Sequence, residues 1–528
     1  MTEQRSAGGR KRLLAGASAG LLAGAAGVAL AEAVAALLSG VTSPLLAVSN
    51  RAVDLTPRPV KEWAVSTFGS ADKAVLLCGV VATVAVALVA LGVLGVRRPR
   101  AAVAGLVVLN LVGAFAAVTD RAAVGPGWVR LVAPAAGLLV SVVALVLLLR
   151  PLNVRRPRAG RSLPAHVAGD DLPAAFDRRR FLARVVAVGA VAVGGGLASQ
   201  ALATTASQSR AGVSIPRPRS AAPPVPAGAS FDIDGLTPHL SANRGFYRVD
   251  TALVVPNVPV DTWRLRVHGM VERPLELTFA DLLSRRLVER RITLTCVSNP
   301  VGGDLMDTTT WIGVPLADLL AEAGVRSGAD AVKSTSADDM TIGTPLSALT
   351  DGRDAMVAVA MGGEPLPLEH GFPARMVVPG LYGYVSATKW LVDLEVTRFA
   401  DFSAYWTDRG YAAQAPIKTS SRIDVPRSFA QLPAGGPTTV AGLAWSQHRG
   451  IDSVEVRADD GPWQQATLAV EDSRDTWRQW RWTWESTPGT HQLQVRATDR
   501  TGRTQTPVRE PIAPDGASGW HNVTVTVS

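Results

Sequence analysis

Arg291-Ile292-Thr293-Leu294-Thr295-Cys296-Val297-Ser298-Asn299-Pro300 is the stretch around which the rest of the chain is organised. Apolar alternation through Ile292 and Leu294 predicts a buried strand, and Ser298-Asn299-Pro300 breaks it, so Cys296 falls where a strand gives way to a loop. Such a position suits a ligand. The chain has two cysteines, and Cys78 lies inside an apolar run, which leaves Cys296 without a disulfide partner in its own domain. A lone cysteine of this kind is either a small buried hydrophobe or a functional thiol. The surrounding sequence decides between them.

At 528 residues and 47% hydrophobic, the chain is long enough for about three domains and too apolar for a purely soluble one. Five apolar runs occupy the first 200 residues: Leu13–Leu38, Ala74–Val96, Ala101–Val118, Leu131–Leu149 and Phe181–Leu202. Each approaches the ~20 residues that cross a bilayer as helix. Arg5, Arg10, Lys11 and Arg12 precede the first run; Arg97, Arg98 and Arg100 separate the second from the third; Arg150, Arg155, Arg156, Arg158 and Arg161 follow the fourth. This distribution places the N-terminus and those loops in the cytoplasm, so that the fifth run exports everything after it. The net charge of +9 is thereby accounted for by topology, and a nucleic-acid partner is not expected.

Asp177-Arg178-Arg179-Arg180-Phe181-Leu182, ahead of the weakly hydrophobic fifth run, resembles a twin-arginine export signal, a route for proteins folded with their cofactor in place. The run is expected to remain as an uncleaved anchor. None of the seven histidines lies in an apolar run, and Cys-x-x-Cys-His is absent, so no haem is expected in this chain. Residues 204–230, rich in Pro, Ala and Ser, read as a linker. Beyond it the composition is globular: strands are expected at Trp263–Gly269, Pro373–Pro379 and Trp390–Val396, with helices at Thr278–Arg286, opened by Thr278, and at Val314–Ala323. Short alternating strands between Gly, Asp and Pro turns predict a β-sandwich at the C-terminal end.

Thr293-Leu294-Thr295-Cys296 with Asn299, then Trp311-Ile312-Gly313-Val314-Pro315-Leu316, His370-Gly371-Phe372-Pro373-Ala374-Arg375, Val377-Val378-Pro379-Gly380 and Lys389-Trp390 together resemble the molybdenum-cofactor domain of the sulfite oxidase family. The motifs keep their order over residues 232–402. Val440–Trp445, Trp477–Trp480, Val495–Asp499 and Trp520-His521 are similar to that family's immunoglobulin-like C-terminal domain. The resemblance implies a multidomain chain: a transmembrane region of about five helices (1–203), the linker (204–230), an α+β molybdopterin-binding catalytic domain (231–410) and an immunoglobulin-like sandwich (411–528) that forms a homodimer.

It further implies Mo-molybdopterin as cofactor, with Cys296 as the one protein ligand to the metal. A soft thiolate suits a molybdenum already held by dithiolene sulfurs. Phe246, Tyr247, Arg248, His370, Arg375, Ala387, Thr388 and Lys389 are implied as cofactor contacts, and Tyr411 and Arg248 as groups that orient the substrate. The chain departs from the family where an anionic substrate would be held: Val301 and Asp515 stand where arginines are expected, and Val249-Asp250 replaces Asn-His. Sulfite is therefore disfavoured as substrate. The expected function is oxygen-atom transfer at a small substrate on the extracytoplasmic side of the cytoplasmic membrane, with electrons leaving to a cytochrome, another redox protein or a quinone. Two alternatives are an S-oxide reductase of the methionine sulfoxide type and an inactive envelope scaffold with the same fold.

Overall fold

The computed structural model describes residues 2–38, 41–57, 60, 63, 67–68, 72–120, 127–152 and 205–528. Two compact units result, Met1–Thr205 with Ala252–Val254, and Ala206–Thr251 with Val255–Ser528.

In the first unit the apolar runs become helices, the structure that satisfies every backbone group within the segment. Arg12–Leu37, Lys73–Gly95, Pro99–Val118 and Gly127–Leu149 are each long and apolar enough to cross a membrane, and they coincide with the first four expected runs. Small residues let two of these helices approach closely: a Cβ on Gly20 would lie 2.1 Å from the Leu88 carbonyl oxygen, and one on Gly92 would lie 2.1 Å from that of Gly16. A further helix, Pro44–Leu55, was not anticipated; its cap Ser43 accepts the Leu46 N–H at 3.3 Å. The fifth run and the arginines before it lie outside the described residues.

The second unit begins with the sheets that carry the cysteine. β1 (Arg264–Gly269), β2 (Leu275–Thr278), β3 (Val288–Thr295), β4 (Met306–Pro315), β5 (Ala331–Ser336), β6 (Thr341–Pro345), β7 (Met356–Met361), β8 (Glu364–Pro365), β9 (Arg375–Val377) and β10 (Leu391–Thr397) form two sheets. Their orders are β2-β1-β10-β5-β6 and β3-β4-β7-β8, with β9 paired to β7. Thr278 caps the helix Phe279–Ser284 through a reciprocal pair of bonds with Asp281, as its sequence predicts. The second helix starts at Leu316 rather than Val314, because Val314 and Pro315 continue β4 and pair with Val357 and Met356.

Residues 206–220 are tied to this sheet region, while 221–226 carry no helix or strand and are mostly exposed. Thr205–Ala211 is helical, Ser220 bridges Val288, and Arg210 donates to the Leu366 carbonyl at 2.8 Å.

The C-terminal part contains β11 (Ser420–Val425), β12 (Gln431–Leu432), β13 (Pro437–Trp445), β14 (Ile451–Ala458), β15 (Gln464–Gln465), β16 (Thr467–Leu468), β17 (Arg478–Glu485), β18 (Gly489–Asp499) and β19 (His521–Val527). These make a four-stranded sheet, β11-β13-β17-β16, and a five-stranded one, β12-β19-β18-β14-β15. Trp480, Trp482 and Trp484 from the first meet Val454, Val456, Leu493 and Val495 from the second in one core. Alternation on β17 sends its tryptophans inward and Arg481 and Thr483 outward.

β3 uses its two faces differently. Ile292 and Leu294 enter a core with Phe246, Trp311 and Phe372. Thr293 and Thr295 look the other way: Thr293 Oγ1 accepts the Trp477 N–H at 2.8 Å, and Thr295 Oγ1 accepts from Gln447 Nε2 at 2.8 Å. On that face the strand that delivers Cys296 is thus bonded to the segments flanking β13 and β17.

Candidate active site

Cys296 follows β3 directly, in the loop that returns to β4. The loop is closed from within: Cys296 N–H donates to the Leu305 carbonyl at 2.9 Å, Asn299 N–H to the Cys296 carbonyl at 3.1 Å, and the Asn299 side chain accepts the Leu305 N–H at 2.9 Å. Asn299 therefore fixes the cysteine's backbone, which is the physical content of the Thr-Cys-x-x-Asn spacing. The thiol is 8% exposed, and the Ser298 N–H donates to its sulfur at 3.4 Å. Burial pushes the thiol above its usual range, while Ser298 and the Lys389 ammonium pull against it.

A cleft opens at Cys296. Of the expected site residues, Phe246, Tyr247, Arg375, Ala387, Lys389 and Tyr411 join Cys296 on its wall. Arg248, His370 and Thr388 are not in the lining. His370 is 3% exposed and packs edge-on to Phe246, with 5.5 Å between ring centres. Thr388 bonds Ser334 at 2.6 Å behind the wall. Arg248 lies outside, 38% exposed at the side chain, its Nε donating to Asp250 at 2.9 Å.

Two buried cations dominate the wall. Arg375 stands on β9 and is 3% exposed; its guanidinium donates to the His370 carbonyl at 3.1 Å and lies 5.1 Å from the Trp311 ring centre. Burial draws it down to about 10. Lys389 donates to Asp250 at 3.1 Å and to the Glu369 carbonyl at 3.0 Å, and burial draws it down to about 8 against the opposing pull of Asp250. His370 is held down to about 3 by burial and then by Lys389 and Arg375, so it is neutral. Tyr247 stacks on Phe246 and is raised well above its usual range, first by burial and then by Cys296.

Tyr411 packs against Trp406 and Tyr384 at 5.4 Å between ring centres in each case, and the Tyr384 hydroxyl donates to the Ala412 carbonyl at 2.7 Å, fixing the backbone beside Tyr411. Asp250, Asp338, Met340, Tyr384 and Trp406 also line the cleft, and sequence reasoning had given them no part in it. For Asp250 a signal existed: it stands where the resemblance leads one to expect a histidine.

Whether these residues fit a molybdopterin follows from their unfilled bonds. Arg375 Nε and His370 Nδ1 are buried with no hydrogen-bond partner. A buried guanidinium nitrogen left without an acceptor costs free energy, and a polyanionic, hydrogen-bond-rich group beside it removes that cost. A soft thiol, two buried cations and an orphaned guanidinium nitrogen around one cleft fit the donor set that a phosphorylated dithiolene cofactor of a soft metal requires. They define a molybdopterin oxidoreductase site.

Residues 252–406 match the family profile described as "Oxidoreductase molybdopterin binding domain". Human mitochondrial sulfite oxidase is 30% identical over 329 residues, covering 52% of this chain and 60% of that protein. The uncharacterized oxidoreductase YuiH of Bacillus subtilis is 34% identical over 149 residues, 28% of this chain and 72% of that protein. Among solved structures, the sulfane dehydrogenase SoxCD from Paracoccus pantotrophus has a TM-score of 0.47 at 24% identity, covering 54% of this chain and 84% of that one. This chain belongs to the sulfite oxidase family of molybdenum-dependent oxidoreductases, and Mo-molybdopterin is its cofactor. It spans about 60% of the length of the human relative.

Proposed function

We propose that the chain is an exported, membrane-anchored oxidoreductase that moves an oxygen atom to or from one heteroatom of a small substrate and exchanges electrons with a separate carrier. The observation that supports it most directly is the Cys296 thiol, at the end of a braced strand, opening on a cleft whose wall holds Arg375 and Lys389. Cys296 would be the one protein ligand to the metal. Arg375 and Lys389 would balance the cofactor's anionic groups, Phe246, Tyr247 and Ala387 would form its bed, and His370 and Thr388, outside the lining, would brace that bed.

When bound, the cofactor supplies two-electron chemistry in which substrate and water give the oxygenated product, two protons and two electrons, or the reverse. The chain's own part is positioning. Trp406 and Tyr384 fix the Tyr411 ring, so its hydroxyl is offered to a substrate at one place. Neutral His370 adds no charge beside the cations.

Four long apolar helices and the arginines around them support anchoring in the cytoplasmic membrane; the placement of residues 231–528 outside rests on the fifth apolar run of the sequence. The two C-terminal sheets on one tryptophan-rich core support an immunoglobulin-like domain, and through it a homodimer. The electron carrier is a cytochrome, another redox protein or a quinone. The test is molybdenum and molybdopterin content of the full chain, wild type beside Cys296→Ser. Near-stoichiometric metal in the wild type, with its absorption band lost in the variant, is the expected result; metal-free wild type from cells that load other molybdoenzymes overturns the reading.

A further inference from the structure

Two cations at and beside the cleft, Lys389 in its wall and Arg248 just outside it, are already answered. Arg248 Nε and Lys389 Nζ meet on one carboxylate oxygen, Asp250 Oδ2, at 2.9 and 3.1 Å. The Asp250 side chain is 4% exposed, and Asp250 itself lines the cleft. It therefore occupies, from within the chain, the position between two cations that an incoming anion would take. A second carboxylate, Asp338, lines the same cleft with its Oδ1 buried and lacking a hydrogen-bond partner. Arg375 is left to the cofactor, Lys389 is shared between the cofactor and Asp250, and Arg248 stands outside the lining, so the cleft shows a substrate two carboxylates, Asp250 and Asp338.

The remaining wall is apolar or aromatic. Val249, Met340, Trp406 and Tyr411 offer an organic substituent surface to bury against, and no described lining residue beyond Arg375 and Lys389 is cationic. Where relatives of the sequence pattern place an arginine five residues past the cysteine, Val301 lines a separate cavity with Tyr382 and Gln505. Near Asp515 the cation is Lys418, and it is bonded to Asp515 at 2.9 Å and to Glu510 at 3.4 Å. Binding a dianion here demands that it displace Asp250 or sit against two carboxylates. Like-charge juxtaposition of that kind is among the stronger devices for rejecting a ligand.

We propose that Asp250 is a specificity-determining residue: as a built-in counter-anion to Arg248 and Lys389, it makes the cleft select an uncharged substrate, an organic sulfide or its S-oxide, over an oxyanion. This rests on the molybdopterin reading of the site. Neutralising Asp250 leaves two cations with charge-assisted bonds to give, and an oxyanion becomes their natural acceptor.

The test is calorimetric binding of sulfate, a non-reacting oxyanion, to the purified full chain at fixed ionic strength. Wild type, Asp250→Asn and the double variant Asp250→Asn/Arg248→Ala are compared, with molybdenum content measured on each preparation. The expected result is weak sulfate binding to wild type, tightened about tenfold or more in Asp250→Asn, as one gained charge-assisted hydrogen bond implies, and lost again in the double variant. Turnover follows the same sign: in Asp250→Asn the KM for sulfite falls while the KM for dimethyl sulfoxide holds. Sulfate affinity unchanged by Asp250→Asn overturns the role of Asp250. Should that variant fail to fold, wild type alone decides, because sulfate binding in the micromolar range there overturns the proposal and its absence supports it. Molybdenum missing from wild type sinks the molybdopterin reading instead, and an unchanged sulfate affinity sinks the role of Asp250 with or without metal.

Discussion

Arg291, on the strand that ends at Cys296, grips the Asp472 carboxylate of the C-terminal sheet region, with Nη2 2.6 Å from Oδ1 and Nε bonded to Oδ2. His239 reaches the same carboxylate at 3.0 Å. The Asp472 side chain is 1% exposed, so the pair is shielded from water and salt. Burial opposes ionisation of Asp472, but the bonds from His239 and Arg291 outweigh it and hold the carboxyl at about 2.

A pH dependence of stability follows. The folded value lies below the ordinary carboxylate value near 4, so this group stabilises the fold fully above about pH 4 and loses its contribution as pH falls through about 2. Asp472→Asn also strands Arg291, and should cost about 3 kcal/mol at neutral pH. Thermal melts of wild type and variant from pH 7 to pH 2.5 check it: the gap in melting temperature should be widest near neutrality and narrow below about pH 4.

Arg375→Lys keeps the charge and removes both the planar fork and the contact with Trp311. Lysine is a point charge that cannot reproduce two parallel bonds. Molybdenum per chain, by elemental analysis, should drop about tenfold, with far-ultraviolet circular dichroism unchanged. Full loading of the variant would show that the guanidinium is only a wall support.

Tyr411→Phe leaves the ring against Trp406 and Tyr384 and deletes the hydroxyl. Melting temperature should hold to within about 2 °C, since the packing is kept. In steady-state assays kcat should fall roughly tenfold or more with little change in KM, the pattern of a contact made in the transition state.

Gly302 sits in the cysteine loop at a φ of +80°, and a Cβ there would lie 2.1 Å from the His521 ring. His521 has no slack to give, because its Nδ1 accepts the Ile423 N–H at 3.0 Å, which also requires the ring to be neutral; burial holds it down to about 4. Gly302→Ala therefore combines a left-handed backbone with a collision, and should cost about 2 kcal/mol or more. A melting temperature lowered by several degrees, together with reduced molybdenum content, is the expected outcome.

What was legible in the sequence was whatever rests on local pattern. Alternation gave β3 and its break, Thr278 gave the start of a helix, and the apolar runs gave four long helices. Ordered motifs picked out Cys296, Arg375 and Lys389, and these three do converge on one cleft. What stands beside each cation was not legible, because that depends on what the fold brings there. Arg248 looked like an anion hook until Asp250, two residues away, turned out to be buried between it and Lys389. The helix expected from Val314 likewise yielded two residues to β4, a tertiary pairing that no helical periodicity reports.

The bonds from Thr293 to Trp477 and from Thr295 to Gln447 have a thermodynamic corollary. A ligand that holds Cys296 in one place also holds β3, and whatever holds β3 favours the docked position of the C-terminal sheets. The two associations must therefore reinforce each other by the same factor in either direction. Loading the cofactor should slow hydrogen exchange along β13 and β17, and weakening that docking should lower the molybdenum content.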